Sequence, residues 1–161
     1  MRLLVVFAVL LLTACGFHPR GQAGMPFSTL YIDAAASNTP FIAELRRNLE
    51  FNNVKLVHSA EKADVVLNIV FEIPEKQILS LGGSGRVNEY LLRYRVSLRA
   101  YDNKGQDWIP AEEMAQRRDY TYSDAAILAK EAEEALLYKS MRDDMVQQIV
   151  RRLSRAKPQI Q

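Results

Sequence analysis

The sequence predicts an α+β fold: a two-layer sandwich of one mixed, mostly antiparallel sheet of four to five strands, with two helices packed on one face. An early helical pattern lies between two short apolar runs, β-type alternation then continues for about sixty residues, and a long amphipathic pattern closes the chain. The resulting order β, α, β, β, β, β, α is typical of helices that cover one face of a sheet.

The first part of the chain predicts a βαβ unit. Residues 27–33 form a short β-rich run. Asn38 or Thr39 then caps a helix whose first turn contains Pro40. Residues 54–57 return as a strand parallel to the first, because a helix of this length is long enough for a parallel crossover.

From Ala63 the pattern predicts strands joined by tight turns. We expect Pro74 to end the first of these strands, because proline lacks a backbone donor. Turns at residues 82–85 and 102–105 separate the segments that follow, as in a meander. Alternation in the first strand predicts that its core face consists of Val65, Leu67, Ile69, Phe71 and Ile73.

The last strand is expected at residues 111–122, and a long helix follows it. Ser123 or Asp124 is placed to cap that helix. The helix extends almost to the C-terminus, and its predicted apolar stripe includes Leu128, Ala132, Ala135, Tyr138, Met141, Met145, Ile149 and Leu153.

Residues 1–14 predict a lipoprotein signal peptide that ends before Cys15. Arg2 supplies the positive start, residues 3–12 are apolar but too few to span a bilayer, and Leu-Thr-Ala-Cys closes the segment. This pattern resembles the lipobox, whose cysteine is lipidated and becomes the first mature residue. Bacterial lipoproteins with Asp directly after this cysteine are commonly kept at the inner membrane. Gly16 at that position therefore favours sorting to the outer membrane. The alternative is an ordinary secretory peptide beside an incidental cysteine.

The mature chain has the length of one domain. We expect an anchor and short tether at residues 15–26 and a single periplasmic domain at residues 27–157. Loss of Arg2 leaves 20 basic and 19 acidic side chains, a balance that gives no indication of a nucleic-acid partner. Cys15 is the only cysteine, so lipidation leaves no thiol for a disulfide.

The strand expected at residues 89–100 carries the clearest candidate binding surface. Alternation places Arg93, Arg95 and Arg99 together on one face, and Arg86 extends the row. Same-face neighbours lie about 7 Å apart, a spacing that suits the phosphates or carboxylates of one large anion. The alternative is a solvated face whose arginines pair with acids of adjacent strands, for which the sequence offers Glu72, Glu112 and Asp119.

No residue pattern predicts catalysis, a metal or a cofactor. His18 and His58 lack a second ligand or a nucleophile at a recognisable spacing. The glycines at residues 82–85 lack the Lys-Ser/Thr of a phosphate-binding loop, and the Gly-x-Ser-x-Gly motif of hydrolases is absent. We therefore expect a protein that is not an enzyme and binds no cofactor.

The segment Cys-Gly-Phe-His-Pro-Arg-Gly, residues 15–21, resembles the mature start of the LptE family of outer-membrane lipoproteins. The usual family motif has Leu where Pro19 stands. Three further features agree with that family: the βαβ unit, the hairpin that leads into residues 88–90, and the closing helix entered through residues 126–130. Together these features extend over nearly all of the mature chain.

The resemblance implies a plug and chaperone role without catalysis. LptE proteins fill the lumen of the β-barrel LptD one to one, assist its assembly and bind lipopolysaccharide during delivery to the outer leaflet. Phosphates of lipid A and the inner core then become candidate ligands for the arginine row. The family places a basic residue early in the last helix, which Lys130 matches, and another at the hairpin, where this chain has glycine and Arg86 lies three residues later. For Lys130 the alternative is a surface lysine balanced by Glu134.

A second hypothesis is an outer-membrane lipoprotein that regulates a periplasmic peptidoglycan synthase. Its cue is the Ala-Asp-Val-Val-Leu segment at residues 63–67, which is common in such domains. A regulator of that kind needs a long tether to cross the periplasm. Phe27 follows Cys15 by only twelve residues, so the short tether favours the barrel partner.

Overall fold

The computed structural model describes residues 24–159, so the predicted signal peptide, the lipidated Cys15 and most of the tether lie outside the described residues. Two short 3-10 turns, Ala60–Lys62 and Asp124–Ala126, accompany the regular elements. In chain order those elements are β1 (Thr29–Ala34), α1 (Pro40–Phe51), β2 (Lys55–Leu56), β3 (Val65–Leu81), β4 (Val87–Tyr101), β5 (Asp107–Thr121) and α2 (Ile127–Leu153).

The five strands form one mixed sheet in the order β2-β1-β3-β4-β5. β1 pairs in parallel with β2 and β3, whereas β3, β4 and β5 pair antiparallel as a meander. Both helices contact each other and the sheet, and Gln147 Nε2 of α2 donates to Asn48 Oδ1 of α1 at 2.6 Å. The predicted α+β class and the early βαβ unit are confirmed.

α1 begins where the sequence predicts. Thr39 is its N-cap, because the Thr39 hydroxyl accepts a hydrogen bond from the Ile42 amide at 3.2 Å and Pro40 occupies the first turn. The helix ends at Phe51, Asn52 is its C-cap, and Asn53 takes the left-handed conformation with φ of 62°. One face of the helix is buried through Phe41, Ile42, Leu45 and Leu49.

The core lies between the helices and one face of the sheet. Alternation in β4 is confirmed, since Leu92, Val96 and Leu98 are fully buried while the arginines between them point away. Full burial of each such side chain contributes about 1.5–3 kcal/mol, so this row stabilises the sheet against both helices. α2 completes the core with Met141, Met145, Val146, Ile149, Val150 and Leu153.

The prediction that Pro74 ends its strand was wrong. β3 continues through Pro74 to Leu81 and pairs with β4 along this length. β1 pairs with β3 only as far as Ile69, so the second half of β3 has an open edge. Proline is tolerated in a strand with an open edge. Pro110 is likewise accommodated in edge strand β5, which begins at Asp107 and therefore earlier than predicted.

A β-bulge reverses the face predicted for the second half of β3. The pairing with β4 skips Val70 between Ile69 and Phe71. An inserted residue exchanges the two faces of a strand, because side chains alternate with a period of two. Phe71 and Ile73 therefore lie on the outer face, away from the helices, and their predicted core positions were wrong.

α2 differs from its prediction at its start. It begins at Ile127 without a side-chain cap. Ser123 instead precedes the 3-10 turn, and Asp124 is the first residue of that turn. Leu128 is 82% exposed, and Ala132 and Ala135 are exposed as well, so the first half of the predicted apolar stripe is not core. A helix of this length spans about 40 Å, more than twice the length of α1, and its first half extends beyond the shared core.

The molecule has two ends that differ in architecture. The tether end contains residues 24–28, the turn at residues 102–105 and the C-terminus of α2, where the Gln159 amide donates to the Asp107 carbonyl at 2.8 Å. The hairpin end contains the turn at residues 82–85 and the start of α2. Only β3, β4 and β5 reach the hairpin end. Within the described residues, neither helix is long and apolar enough to cross a bilayer.

We expect Thr39→Ala to lower the free energy of unfolding by about 1–2 kcal/mol, because α1 loses its cap. The Thr39 hydroxyl also donates to Glu72 at 2.6 Å, a second hydrogen bond that this substitution removes. Urea unfolding followed by circular dichroism measures the change. Exposed Ser37→Ala is the matched control, expected within about 0.5 kcal/mol of the wild type. Equal losses in both variants would contradict the assignment of Thr39 as the cap.

Candidate anion-binding site

The hairpin end brings together the two basic residues singled out at the turn and at the last helix. Arg86 is the last residue before β4, and its side chain is 75% exposed. Its Nη1 atom lies 3.8 Å from Asp124 Oδ2. Lys130 lies in the first turn of α2, where its Nζ atom is 2.8 Å from Glu133 Oε2 and 3.4 Å from the Thr121 hydroxyl. Both cations therefore stand at the same end of the sheet.

Lys130 pairs with an acid of its own helix, as in the alternative interpretation, but with Glu133 instead of Glu134. Its side chain is only 19% exposed, and its Nζ atom lies 5.9 Å from the centre of the Tyr120 ring. The expected balance with Glu134 was wrong, because Lys130 pairs with Glu133 and Glu134 pairs with Lys76 of β3. The ammonium group is consequently held in place beside an aromatic ring and the end of β5.

A cluster around Glu134 fastens the first half of α2 to the sheet. Glu134 accepts hydrogen bonds from Lys76 and from the Tyr120 hydroxyl, the latter at 2.6 Å. The Lys76 ammonium also lies 4.1 Å from the centre of the Tyr90 ring, within range of a cation–π contact. No pattern in the sequence indicated this cluster, because the bulge at Val70 decides that Lys76 faces the helix.

The cluster shifts the ionisation of its members in a consistent direction. Partial burial opposes the charge on Glu134, but hydrogen bonds from Lys76 and Tyr120 outweigh it, and the pKa of Glu134 lies below its usual value. Burial and the neighbouring carboxylate raise the pKa of Tyr120 to about 12. Glu134 is therefore charged at neutral pH, which favours its bond with the Lys76 ammonium.

Two of the predicted arginines are neutralised by carboxylates of neighbouring strands. Arg95 binds Glu75 at 2.7 Å and Glu113 at 2.6 Å. Arg99 binds Asp107 at 2.7 Å. In each case the hydrogen-bonded carboxylate is the main cause that raises the pKa of the arginine. For Arg95 and Arg99 the solvated, ion-paired face of the alternative interpretation describes the structure.

The acids that pair with these arginines are not those offered by the sequence. Glu72 lies on the helix-facing side, where it accepts a hydrogen bond from Tyr94. Glu112 pairs with Arg152 of α2. Asp119 forms no ion pair within residues 24–159. The bulge at Val70 accounts for Glu72, because it moves that side chain to the opposite face from the one expected.

Arg93 differs from the other arginines of its row. Its Nε atom is buried and has no hydrogen-bond partner among the described residues. Across the sheet it lies between Glu75 of β3 and Arg117 of β5, and Glu75 already binds Arg95. Like charges placed directly opposite each other destabilise a sheet unless a counter-charge is bound. Arg93 and Arg117 therefore form the least neutralised part of the outer face.

Sequence reasoning missed Arg117 because the register between β4 and β5 changes twice. Next to the turn Tyr101 pairs with Asp107, and counting out from that pair would place Arg93 opposite Ala115. Two irregularities close to the turn advance the pairing by two residues and bring Arg117 opposite Arg93. Hairpin sequence alone gives no signal for such shifts.

The predicted cations do not form a single site. Arg93, Arg95 and Arg99 lie on the outer face of the sheet, whereas Lys130 lies on the helix, which packs against the other face. Arg86 stands at the exposed turn between them. One headgroup bound at the hairpin end can therefore meet Arg86 and Lys130 without the arginine row.

Exposed apolar side chains surround the hairpin-end cations. Leu79 and Leu81 are about half exposed before the β3–β4 turn, and Leu128 lies two residues before Lys130 on α2. Soluble monomers rarely concentrate large apolar side chains at one place unless the surface binds something. The exposed large apolar residues of the hairpin end are Ile78, Leu79, Leu81, Ile127 and Leu128.

We expect Glu134→Gln to lower the free energy of unfolding by about 1–3 kcal/mol at pH 7, because Lys76 loses a charged partner. The pKa of Glu134 is lower in the folded state than in the unfolded state. The stability that its charge provides is therefore complete at pH values above its unfolded pKa and is lost as the pH falls through its folded pKa. The difference between variant and wild type should shrink on acidification below about pH 4. Exposed Glu131→Gln is the control; a difference independent of pH would contradict the assignment.

A family model described as lipopolysaccharide-assembly, LptE, matches residues 27–153. Within the described residues there is no group of three or more His, Cys, Asp or Glu side chains suited to a metal ion.

Named relatives and solved structures are similar over most of the chain. The LPS-assembly lipoprotein LptE of Pectobacterium atrosepticum is 29% identical over 94% of this chain and 83% of its own, and that of Yersinia pestis is 30% identical over 95% and 74%. A lipoprotein B from Nitrosomonas europaea, solved by NMR, has a TM-score of 0.74 at 41% identity and covers 86% of this chain and 90% of its own. The crystal structure of rare lipoprotein B from Shewanella oneidensis has a TM-score of 0.68 at 29% identity and covers 77% of this chain and 92% of its own. The chain therefore belongs to the LptE family of lipopolysaccharide-assembly proteins.

Proposed function

We propose that this protein is an outer-membrane lipoprotein that binds lipopolysaccharide at its hairpin end and fills the lumen of an LptD barrel. Membership of the family supports a role in lipopolysaccharide assembly. The observation that carries the finer proposal is the juxtaposition of Arg86 and Lys130 with exposed apolar side chains at one end of the sheet. The role needs no catalytic residue.

The hairpin end matches the chemistry of an amphiphile that carries phosphate beside acyl chains. Arg86 and Lys130 supply charge-assisted hydrogen bonds to phosphate, which are about twice as strong as neutral ones. At Lys130 the phosphate competes with the exposed carboxylate of Glu133. Leu79, Leu81 and Leu128 supply apolar area that leaves water when acyl chains bind. The ion pair between Arg86 and Asp124 is long, at 3.8 Å, and exposed to solvent. An incoming phosphate can therefore replace that contact at little cost.

The outer face offers a second, weaker anion site. Arg93 and Arg117 lie directly opposite each other and form no ion pair among the described residues. Arg95 and Arg99 already have bound partners, so a phosphate has to compete with Glu113 or Asp107 there. Within the arginine row we therefore assign anion binding to Arg93, with Arg117 added, and a structural role to Arg95 and Arg99.

The shape of the domain suits a position inside a barrel. β3 spans about 50 Å at about 3.3 Å per residue, twice the ~25 Å height of the apolar band of an outer-membrane barrel. The outer face of the sheet carries ion-paired arginines and acids beside Phe71 and Ile73, and its charged part suits the polar lumen of a barrel. A one-to-one complex with LptD is consistent with these dimensions.

Attachment to the outer membrane is assigned to Cys15. That residue lies outside the described residues, and the proposal rests on the lipobox pattern together with relatives that are named as lipoproteins. A diacylglycerol group and an amide-linked chain together give durable attachment, whereas one chain is marginal. Residues 15–26 are then the tether between the lipid and the folded domain.

We expect Arg86→Gln combined with Lys130→Gln to weaken lipopolysaccharide binding at least about 10-fold, because two charge-assisted hydrogen bonds are lost. Binding is measured with purified lipopolysaccharide by titration calorimetry or by retention on an affinity matrix. Lys139→Gln is the matched control, since Lys139 is 62% exposed on the same helix. Circular dichroism checks that all variants fold. Equal affinity of the double variant and the control would disprove the hairpin-end site.

We expect tagged full-length protein to recover a large, heat-modifiable β-barrel in stoichiometric amount from detergent-solubilised outer membranes. Mass spectrometry identifies the co-purified protein. Recovery of LptD supports the plug proposal. Recovery of a peptidoglycan synthase without a barrel would support the regulator hypothesis instead.

A further inference from the structure

An open cleft of about 460 Å³ lies at the tether end, between the start of β5 and the end of α2. Trp108 and Pro110 line it from β5, and Arg151 and Arg155 line it from α2 and the residues after it. Arg152 also reaches the cleft but is paired with Glu112. Within residues 24–159 no carboxylate forms an ion pair with the guanidinium group of Arg151 or Arg155. Two unneutralised cations thus border one concave surface.

Basic residues continue beyond the helix that supplies this cleft. The segment 145–161 contains Arg151, Arg152, Arg155 and Lys157 and no acidic residue. Basic residues in the last turn of a helix complement its dipole, which accounts for Arg151 and Arg152. Arg155 and Lys157 follow the end of α2 at Leu153, so the dipole does not explain their charge.

The cleft is also where the tether enters the domain. The rings of Phe27 and Trp108 meet edge to face with their centres 5.7 Å apart, so Phe27, three residues after Gly24, packs against a residue that lines the cleft. Cys15 precedes Gly24 by nine residues, which extend over at most about 30 Å. The hairpin end is about 50 Å further along β3. A lipid on Cys15 therefore holds the cleft, and not the hairpin, next to the bilayer.

We propose that the tether end docks on anionic phospholipid headgroups of the leaflet that holds the anchor, with Arg151 and Arg155 binding the phosphates. The proposal rests on lipidation of Cys15. A basic side chain near an anionic membrane surface contributes about 1 kcal/mol, and tryptophan favours the headgroup level of a bilayer. The Trp108 indole donates to Asp102 at 3.3 Å, which fixes the ring beside the cleft.

This contact would orient the domain as well as attach it. Acyl chains attached through a tether limit the distance of the domain from the membrane but fix no direction. A second contact at the tether end fixes which end of the long strands lies at the headgroup surface, and Arg86 and Lys130 lie at the other end. The anchor and the headgroup surface then act as two membrane signals on one chain.

Vesicle binding of the chain from residue 15 onward, carrying Cys15→Ser, tests the proposal without any acyl chain. This protein keeps every described residue. Trp108 is the only tryptophan, so its fluorescence reports the cleft directly. We expect co-sedimentation and a blue shift with vesicles of phosphatidylglycerol and phosphatidylcholine, and neither with phosphatidylcholine alone. High salt should release the protein, because exposed charges are screened.

The double variant Arg151→Gln and Arg155→Gln should partition onto these vesicles about 30-fold less, because each basic residue contributes about 1 kcal/mol to binding. Arg47→Gln with Lys139→Gln removes the same charge from exposed positions elsewhere and is the control. Equal losses in the two pairs would overturn the proposal, as would equal binding to both kinds of vesicle. An identical fluorescence shift with inorganic phosphate alone would assign the cleft to small anions and also overturn it.

Lipopolysaccharide affinity of the Arg151→Gln and Arg155→Gln variant separates this proposal from the proposed function. We expect that affinity to stay within two-fold of the wild type. Loss of vesicle binding with lipopolysaccharide binding retained supports the headgroup surface. A parallel loss of both would place the cleft within the lipopolysaccharide site and overturn the proposal. Unchanged vesicle binding overturns it and leaves the hairpin-end site as a separate question.

Discussion

The antiparallel pairing of β3, β4 and β5 is the constraint on which the rest of the molecule depends. These strands have 17, 15 and 15 residues, whereas β1 and β2 have six and two. The sheet is therefore five strands wide at the tether end and three at the hairpin end. The shared core of both helices lies over the wide half, and the narrow half is covered only by the start of α2. The shared core and the cluster of exposed basic and apolar side chains consequently lie in opposite halves of one sheet.

Local sequence signals predict most of the architecture. Most side chains whose predicted face was wrong lie where the pairing register of two strands shifts. Thr39 and Pro40 mark the start of α1, and alternation alone identifies the buried face of β4, because each signal lies within a few neighbouring residues. The side chains of Phe71 and Glu72 were placed on the wrong faces, since a single inserted residue at Val70 is decided by pairing with another strand. Periodicity cannot detect an insertion of that kind before the partner strand is known.

The same limit applies to the candidate site. Sequence could propose a row of arginines, but it could not say which of them already had partners. Pairing across three strands neutralises Arg95 and Arg99 and leaves Arg93 opposite Arg117. The alternative interpretation of Lys130 pairs it with Glu134 four residues away, whereas Glu134 pairs with Lys76 of β3. Charge patterns along one element therefore predict which residues carry charge, and tertiary contacts decide which charges remain available.

Open edges on the three-stranded half have a consequence for self-association. The second half of β3 and the whole of β5 each present an unpaired strand edge, and the exposed leucines stand beside them. Such edges normally invite strand-to-strand polymerisation between copies. Pro74 interrupts one edge and Pro110 the other, and Arg117 adds charge to the second. The two prolines thus disfavour pairing of these edges with a second copy of the chain.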